Sequence, residues 1–307
     1  MTDAPRQLPQ DSELFLDHIA HFVPDMDAAG AALERLGYIL TPFTAQQNSL
    51  KPGDAPVPAG TANRLVMLRR GYLEFLTAVV DTPLAQQLQD AVKRYVGVHL
   101  LAFAVGDAQA AWERLAATGF APTPLVHLER AVGLPQGGSK NAKFSVVRVP
   151  PGTMPEGRIQ ILTHHTESIV WQERWMAHPN RIVALTDILL AVADPQEAAQ
   201  RFARFLDRKA EQDSAGRWHL ATDRGVLTFV TPASVPGLLP GMPERPAPFI
   251  AAYGLESADL DVSERHFREA GAAIERLDDR RLRLDLPAAL GGTQIVCAPG
   301  AIMPWRD

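Results

Sequence analysis

Two segments of this 307-residue chain carry a histidine in the same setting: LDHIAHFV, with His18, and GVHLLAFAV, with His99. Each precedes a strand-like run bearing a second donor. YLEFLTAVV places Glu74 56 residues after His18, and RIQILTHH places Gln160 61 residues after His99. Imidazole and carboxylate suit a divalent ion such as zinc, nickel, manganese or iron, and two histidines with one carboxylate leave coordination positions open. Those positions would take water, a substrate oxygen or dioxygen. Glu74 lies in an otherwise apolar run, where a lone carboxylate is costly unless a metal or a cation such as Arg64 neutralises it. Gln160 either ligates through its amide oxygen or hydrogen-bonds as part of the wall. Of the two histidines after it, alternation puts His164 on Gln160's face, as a proton shuttle at the cavity mouth or as a surface histidine. Glu74, if it leaves the metal, or a metal-bound hydroxide is the candidate proton acceptor.

The elements that must position these groups repeat as well. Each histidine strand leads into an amphipathic helical pattern, DMDAAGAALERLGY (25–38) and DAQAAWERLAATGF (107–120), opened by an aspartate suited to cap it and closed by a glycine. The expected unit is β-α-β-β-β, and it recurs. ALTDILLAVADPQEAAQRFARFLDR (184–208) has the same strand-then-helix form, with Asp187 at the place of His18 and Thr228 at the place of Glu74. A fourth copy begins at PFIAAYGLES (248–257), with Ala251 or Ala252 in place of a histidine and Gln294 or Val296 in the last strand. The last two copies therefore keep the pattern and lose the donors. Repeats of this kind decide a fold before any local detail does. Glycine- and proline-rich loops are expected at 50–62 and 133–140, and 166–180 reads as a partly helical connection between halves, with Trp171, Trp175 and His178 packing the halves together or capping the cavity.

Composition bounds the function. Thirty basic residues are scattered among 35 acidic ones, for a net charge of −5, and no basic stripe marks a nucleic-acid partner. The single cysteine, Cys297, excludes an internal disulfide framework and has no activating neighbour in sequence, so it reads as buried and inert. The polar, proline-bearing start is no signal peptide and no apolar run is long enough to span a bilayer, so a cytoplasmic protein without a membrane partner is expected. No P-loop, GxGxxG or nucleophile elbow occurs. Basic residues echo one another in Asn63-Arg64 and in Asn141 with Lys143. Arg64 and Lys143 are the candidates for a substrate anion, or else they form salt bridges.

The LDHI opening (16–19), GTANRLVML (60–68) with YLEFL (72–76), and THHTESIVWQERWMAHPN (163–180) resemble the vicinal oxygen chelate superfamily, in particular its two-domain glyoxalase-like members. The resemblance implies an α+β fold of four βαβββ modules forming two half-open barrels: an N-terminal domain over 1–170 with a metal site, and a C-terminal domain over 171–307 without one. It implies His18, Glu74, His99 and Gln160 as metal ligands, Gln160 standing where many members carry glutamate. The implied activity is that of a metal-dependent lyase or isomerase acting on a small substrate held through two neighbouring oxygens. An extradiol-type dioxygenase with Fe(II) and a non-catalytic binding or resistance protein are the alternatives. A homodimer is compatible with the sequence.

Overall fold

The structure is a computed structural model describing residues 6–48, 57–242 and 245–306. The chain builds two eight-stranded sheets of the same design. The first is formed by β1 (Leu14–Phe22), β2 (Thr44–Asn48), β3 (Val57–Met67), β4 (Tyr72–Ala78), β5 (Gly97–Val105), β6 (Val126–Gly133), β7 (Ser139–Arg148) and β8 (Arg158–His164), in the order β2-β3-β4-β1-β5-β8-β7-β6. Its helices are α1 (Met26–Arg35), α2 (Pro83–Arg94) and α3 (Ala108–Ala117), followed by the short α4 (Glu167–Val170). The second sheet repeats the order with β9 (Ile182–Ala191), β10 (Ala210–Gln212), β11 (Trp218–Ala221), β12 (Val226–Val230), β13 (Phe249–Ser257), β14 (Ala273–Arg276), β15 (Arg281–Asp285) and β16 (Thr293–Cys297). With it come α5 (Pro195–Leu206), the short α6 (Val235–Leu238) and α7 (Leu260–Glu269). The four βαβββ modules are thus present. Of the loop expected at 50–62, residues 50–56 lie outside the described residues, and the rest belongs to β3. No helix among the described residues is long and apolar enough to cross a membrane.

One aspartate starts the helix of every module. Asp25 accepts from the backbone N–H of Asp27 and Ala28, Asp107 from Gln109 and Ala110, Asp194 from Glu197, and Asp259 from Val262. Each satisfies N–H groups that the helix itself cannot. The helices bury Leu33, Leu115, Phe202 and Phe267 in one continuous core with residues on the outward faces of both sheets, among them Ile19, Phe103, Leu185 and Leu255. Helix α2 lies outside the repeat. Its Leu88 packs with Ala20, Phe22, Leu76 and Leu100 on the concave face of the first sheet.

The two concave faces have different fates. In the second sheet Leu189, Ala252 and Ile295 are covered by Met303 and Trp305 of the C-terminal segment and by Val235 and Leu239. Arg306 Nη1 donates to Asp187 at 3.0 Å. At Gly254 a Cβ would stand 2.8 Å from the Met303 thioether, so the filling leaves no room even for a methyl group. The register places Ile295, rather than Gln294 or Val296, at the counterpart of Gln160, because Gly254 faces Ile295 as Ala102 faces Gln160. Gln294 points outward and donates to the Tyr253 hydroxyl. Cys297 is buried, its thiol pushed up to about 12 chiefly by burial.

Buried histidines tie the segments together in neutral form. His21 joins the two sheets through the Leu290 carbonyl (3.0 Å) and the Tyr253 hydroxyl (2.9 Å). His178 accepts from the Ile39 N–H (3.0 Å) and contacts the Met67 carbonyl (2.8 Å), which leaves no place for a charged ring. Burial outweighs the carbonyl hydrogen bonds and pushes both down to about 4. Unfolded histidine titrates near 6.5, so between about pH 6.5 and 4 the unfolded chain binds protons that the folded chain refuses. Stability should therefore fall as pH drops through that window, by roughly 1.4 kcal/mol per pH unit for each histidine. Urea unfolding at pH 7 and pH 5 measures this. His21→Gln should be less stable at pH 7 yet show a shallower pH slope, whereas equal midpoints at both pH values for the parent chain would refute the account.

Candidate active site

The concave face of the first sheet stays open and encloses a cavity of about 230 Å³. His18, Glu74 and Gln160 line it, together with Gln46, Asn63, Tyr72, Arg130, Arg148 and Arg158. Apolar wall is supplied by Leu65, Met67, Leu100, Leu128, Phe144 and Val146. Val170, Arg174 and Trp175, from the connection after β8, close one side.

A β-bulge creates the histidine's setting. The register between β1 and β5 shifts between Leu16 and His18, leaving Asp17 as the extra residue. A bulge re-aims side chains that strict alternation would send to opposite faces. Here Asp17 reaches His18 Nδ1 at 2.7 Å and His164 Nε2 at 3.1 Å while His18 faces the cavity. Gly71 makes room, since a Cβ there would lie 2.7 Å from the Asp17 carbonyl oxygen and its φ of +77° suits glycine. Burial alone would raise the Asp17 carboxyl, but His164 and His18 outweigh it and hold the group well below the usual carboxylate range. An ionised Asp17 accepts from His18 Nδ1–H, which leaves the Nε2 lone pair for the cavity. The imidazole is stacked on Tyr72 at 4.3 Å between ring centroids.

Opposite His18 stands Glu74, with its Oε2 3.8 Å from His18 Nε2. Glu74 Oε1 accepts from Asn63 Nδ2 (2.6 Å) and Gln46 Nε2 (3.2 Å), and Thr61 in turn donates to Gln46 (2.7 Å). Burial, then the charges of Asp17 and Glu74, push the Tyr72 hydroxyl far above its ordinary value, so it stays protonated.

The structure separates the other expected residues from this centre. His99 is not among the cavity's lining residues; its Nε2 lies 2.8 Å from the Tyr95 carbonyl and its ring packs on Tyr95 and Phe22. It is the extra residue of a second bulge, between Val98 and Leu100. Seven residues separate His18 from its capping Asp25, but eight separate His99 from Asp107. The repeat therefore sets Leu100, not His99, at the place of His18, and that spacing was the available signal. A slip of one residue exchanges the faces of a strand. His164 lies behind the site, bonded to Asp17 and packed against Tyr72, Phe144 and Trp171. Arg64 turns outward to the Thr41 carbonyl (3.1 Å) and Glu34 (3.3 Å), while its neighbour Asn63 faces inward. Lys143 is exposed and paired with Glu129 at 3.1 Å. The inward cations are Arg130, Arg148 and Arg158. Burial first, then Arg158 and Arg130, push Arg148 down to about 10, and burial lowers Arg158 too.

A family model described as a glyoxalase-like domain matches residues 16–206. The chain belongs to the glyoxalase-like domain family. It shares the vicinal oxygen chelate fold with solved structures of low identity. A hypothetical protein from Staphylococcus aureus is 11% identical, with a TM-score of 0.59 over 93% of this chain and 99% of that one. A triple mutant of 4-hydroxymandelate synthase from Streptomyces coelicolor is 14% identical, with a TM-score of 0.55 over 94% of each chain. The Mn(II)-bound glyoxalase from Novosphingobium aromaticivorans is 12% identical, with a TM-score of 0.52 over 94% of this chain and 82% of that one. A comparison with curated proteins finds no match.

A metal site of this fold would draw on strands β1, β4, β5 and β8. No group of three or more His, Cys, Asp or Glu side chains among the described residues could hold an ion. The donors that fit are His18, oriented by a carboxylate as metal-bound histidines are, Glu74, and the Gln160 Oε1, which is buried without a hydrogen-bond partner. In Mn(II) titrations, His18→Ala and Glu74→Ala should each weaken binding by about tenfold or more. His99→Ala should leave it unchanged, and Leu100→His should strengthen it. Loss of the ion in a folded His99→Ala variant would overturn this placement.

Proposed function

We propose that the cavity is the active site of a metal-assisted lyase or isomerase that moves a proton on a small substrate with two neighbouring oxygens. The observation that carries the reading is the facing pair His18 Nε2 and Glu74 Oε2, each held from behind, inside a cavity large enough for a small molecule. A divalent ion held by His18, Glu74 and Gln160 would polarise a substrate oxygen and make the adjoining C–H more acidic.

The chain's own residues do the rest. Glu74 serves as proton acceptor at Oε2 when that oxygen is not holding the ion, because Oε1 is occupied by the Asn63 and Gln46 amides, which fix the carboxylate's orientation. Tyr72 stays protonated and adds a neutral phenol to the cavity wall. Asp17 is a positioning residue that sets the His18 tautomer, and His164 secures Asp17 from the far side. Val170 and Trp175 exclude water at the mouth. An extradiol-type reaction calls for two histidines and a carboxylate facing one ion, and Leu100 occupies the second histidine's place.

Solvent deuterium exchange into the C–H beside the carbonyl of small 2-hydroxyketones and 2-oxoacids, followed by NMR on Mn(II)-loaded protein, tests the reading. Glu74→Gln, which keeps size and removes the base, should slow exchange by about 10²–10⁴-fold. Exchange that proceeds undiminished in Glu74→Gln, or that never exceeds the buffer rate with the parent chain, would refute it.

A further inference from the structure

Three arginines converge on the cavity from neighbouring strands of the second module. Arg148 on β7 pairs across the sheet with Gln160, and Arg158 lies two residues before Gln160 on the same face of β8. Arg130 enters from β6, opposite Ala142. The Nε atoms of Arg130 and Arg148 are buried without a hydrogen-bond partner. Among the described residues Glu74 is the one carboxylate lining the cavity, and it forms no ion pair with any of the three. Its Oε1 is already committed to two amides.

A structural arginine in this chain looks different. Arg201 forks onto Glu156 at 2.8 and 2.9 Å and also binds Glu197, so its charge is matched where it sits. Around Arg148 the neighbouring charges are Arg158, Arg130 and Glu74, so cations outnumber the one carboxylate. Like charges drawn out of water together are costly unless an anion completes the arrangement. Guanidinium groups match two-oxygen anions geometrically, through paired N–H donors.

We propose that Arg130, Arg148 and Arg158 form an oxyanion subsite that takes the carboxylate or phosphate of the substrate while its apolar body lies on Leu128, Phe144 and Val146. The substrate is then an organic acid rather than a neutral carbonyl compound. This rests on the cavity being the substrate site, as proposed above, but not on the proton transfer assigned to Glu74. It also replaces Arg64 and Lys143 as the anion-binding candidates: alternation along β3 and β7 turns both of those away from the cavity.

Calorimetric titration of the full chain with phenylacetate, phenyl phosphate and neutral phenylacetamide tests it, because the three share a ring and differ in head group. At least one acid should bind about tenfold or more tightly than the amide, in keeping with hydrogen bonds to charged groups. Whichever acid does so identifies the head group. Arg148→Gln and Arg158→Gln should each erase most of that advantage, Arg148→Lys should retain part of it, and Lys143→Gln should retain all of it. His18→Asn should still bind the acid, which separates this subsite from the catalytic reading. The proposal fails if the amide binds as tightly as the acids, if folded Arg148→Gln and Arg158→Gln bind the acid as the parent does, or if no acid binds at millimolar concentration. Should the glutamine variants not fold, an unchanged melting temperature of the parent in inorganic phosphate and in acetate would be the result that overturns it.

Discussion

Asp17 is a fully buried carboxylate placed between two imidazoles, and the geometry of the cavity follows from it. A buried charge must be matched, and His18 and His164 match this one from opposite sides. The demand fixes the His18 ring with its Nε2 toward Glu74 and ties β8 to β1 across the intervening β5. It also explains the bulge. Without an extra residue in β1, Asp17 and His18 would point to opposite faces and could not form the pair. The aromatic residues Tyr72, Phe144 and Trp171 shield the hydrogen-bonded centre from water, which strengthens its electrostatics.

The two halves show what one design does with and without a site. Both sheets have the same strand order, and both carry bulges at matching points: Asp17 and His99 in the first, Thr186 and Ala251 in the second. In the second half the bulge residue Thr186 carries no charge, the cavity-facing Asp187 is answered by Arg306, and Met303 and Trp305 fill the concavity. Apolar filling, with Asp187 answered by Arg306 and Arg283 by Asp285, closes that concave face. The first half instead leaves its concave face open, with amides, cations and an imidazole turned inward, and no fold-stabilising need accounts for that choice.

Charge gives the open cavity its character. Among the described residues four arginines and one glutamate line it, whereas the chain as a whole carries a net charge of −5. In a concave, poorly solvated space such an imbalance acts at short range with little screening, so it favours an anion even though the chain's net charge is negative.

The module pattern, the helix starts and the identities of His18, Glu74 and Gln160 as inward-facing residues were legible in the chain, because they rest on local physics. Aspartate caps helices through its own neighbours' N–H groups, and alternation sorts the faces of an unbroken strand. What the sequence could not decide was where alternation breaks. The bulge at Asp17 brought the aspartate of LDHI into the site, and the bulge at His99 took that histidine out, leaving Leu100 in its place. A bulge is a property of two paired strands, so it is invisible in either strand read alone. The same reason hid Arg130, Arg148 and Arg158. Nothing in their local sequence marks them, and only the curl of the sheet brings β6, β7 and β8 over Glu74 and gives three separate arginines a common purpose.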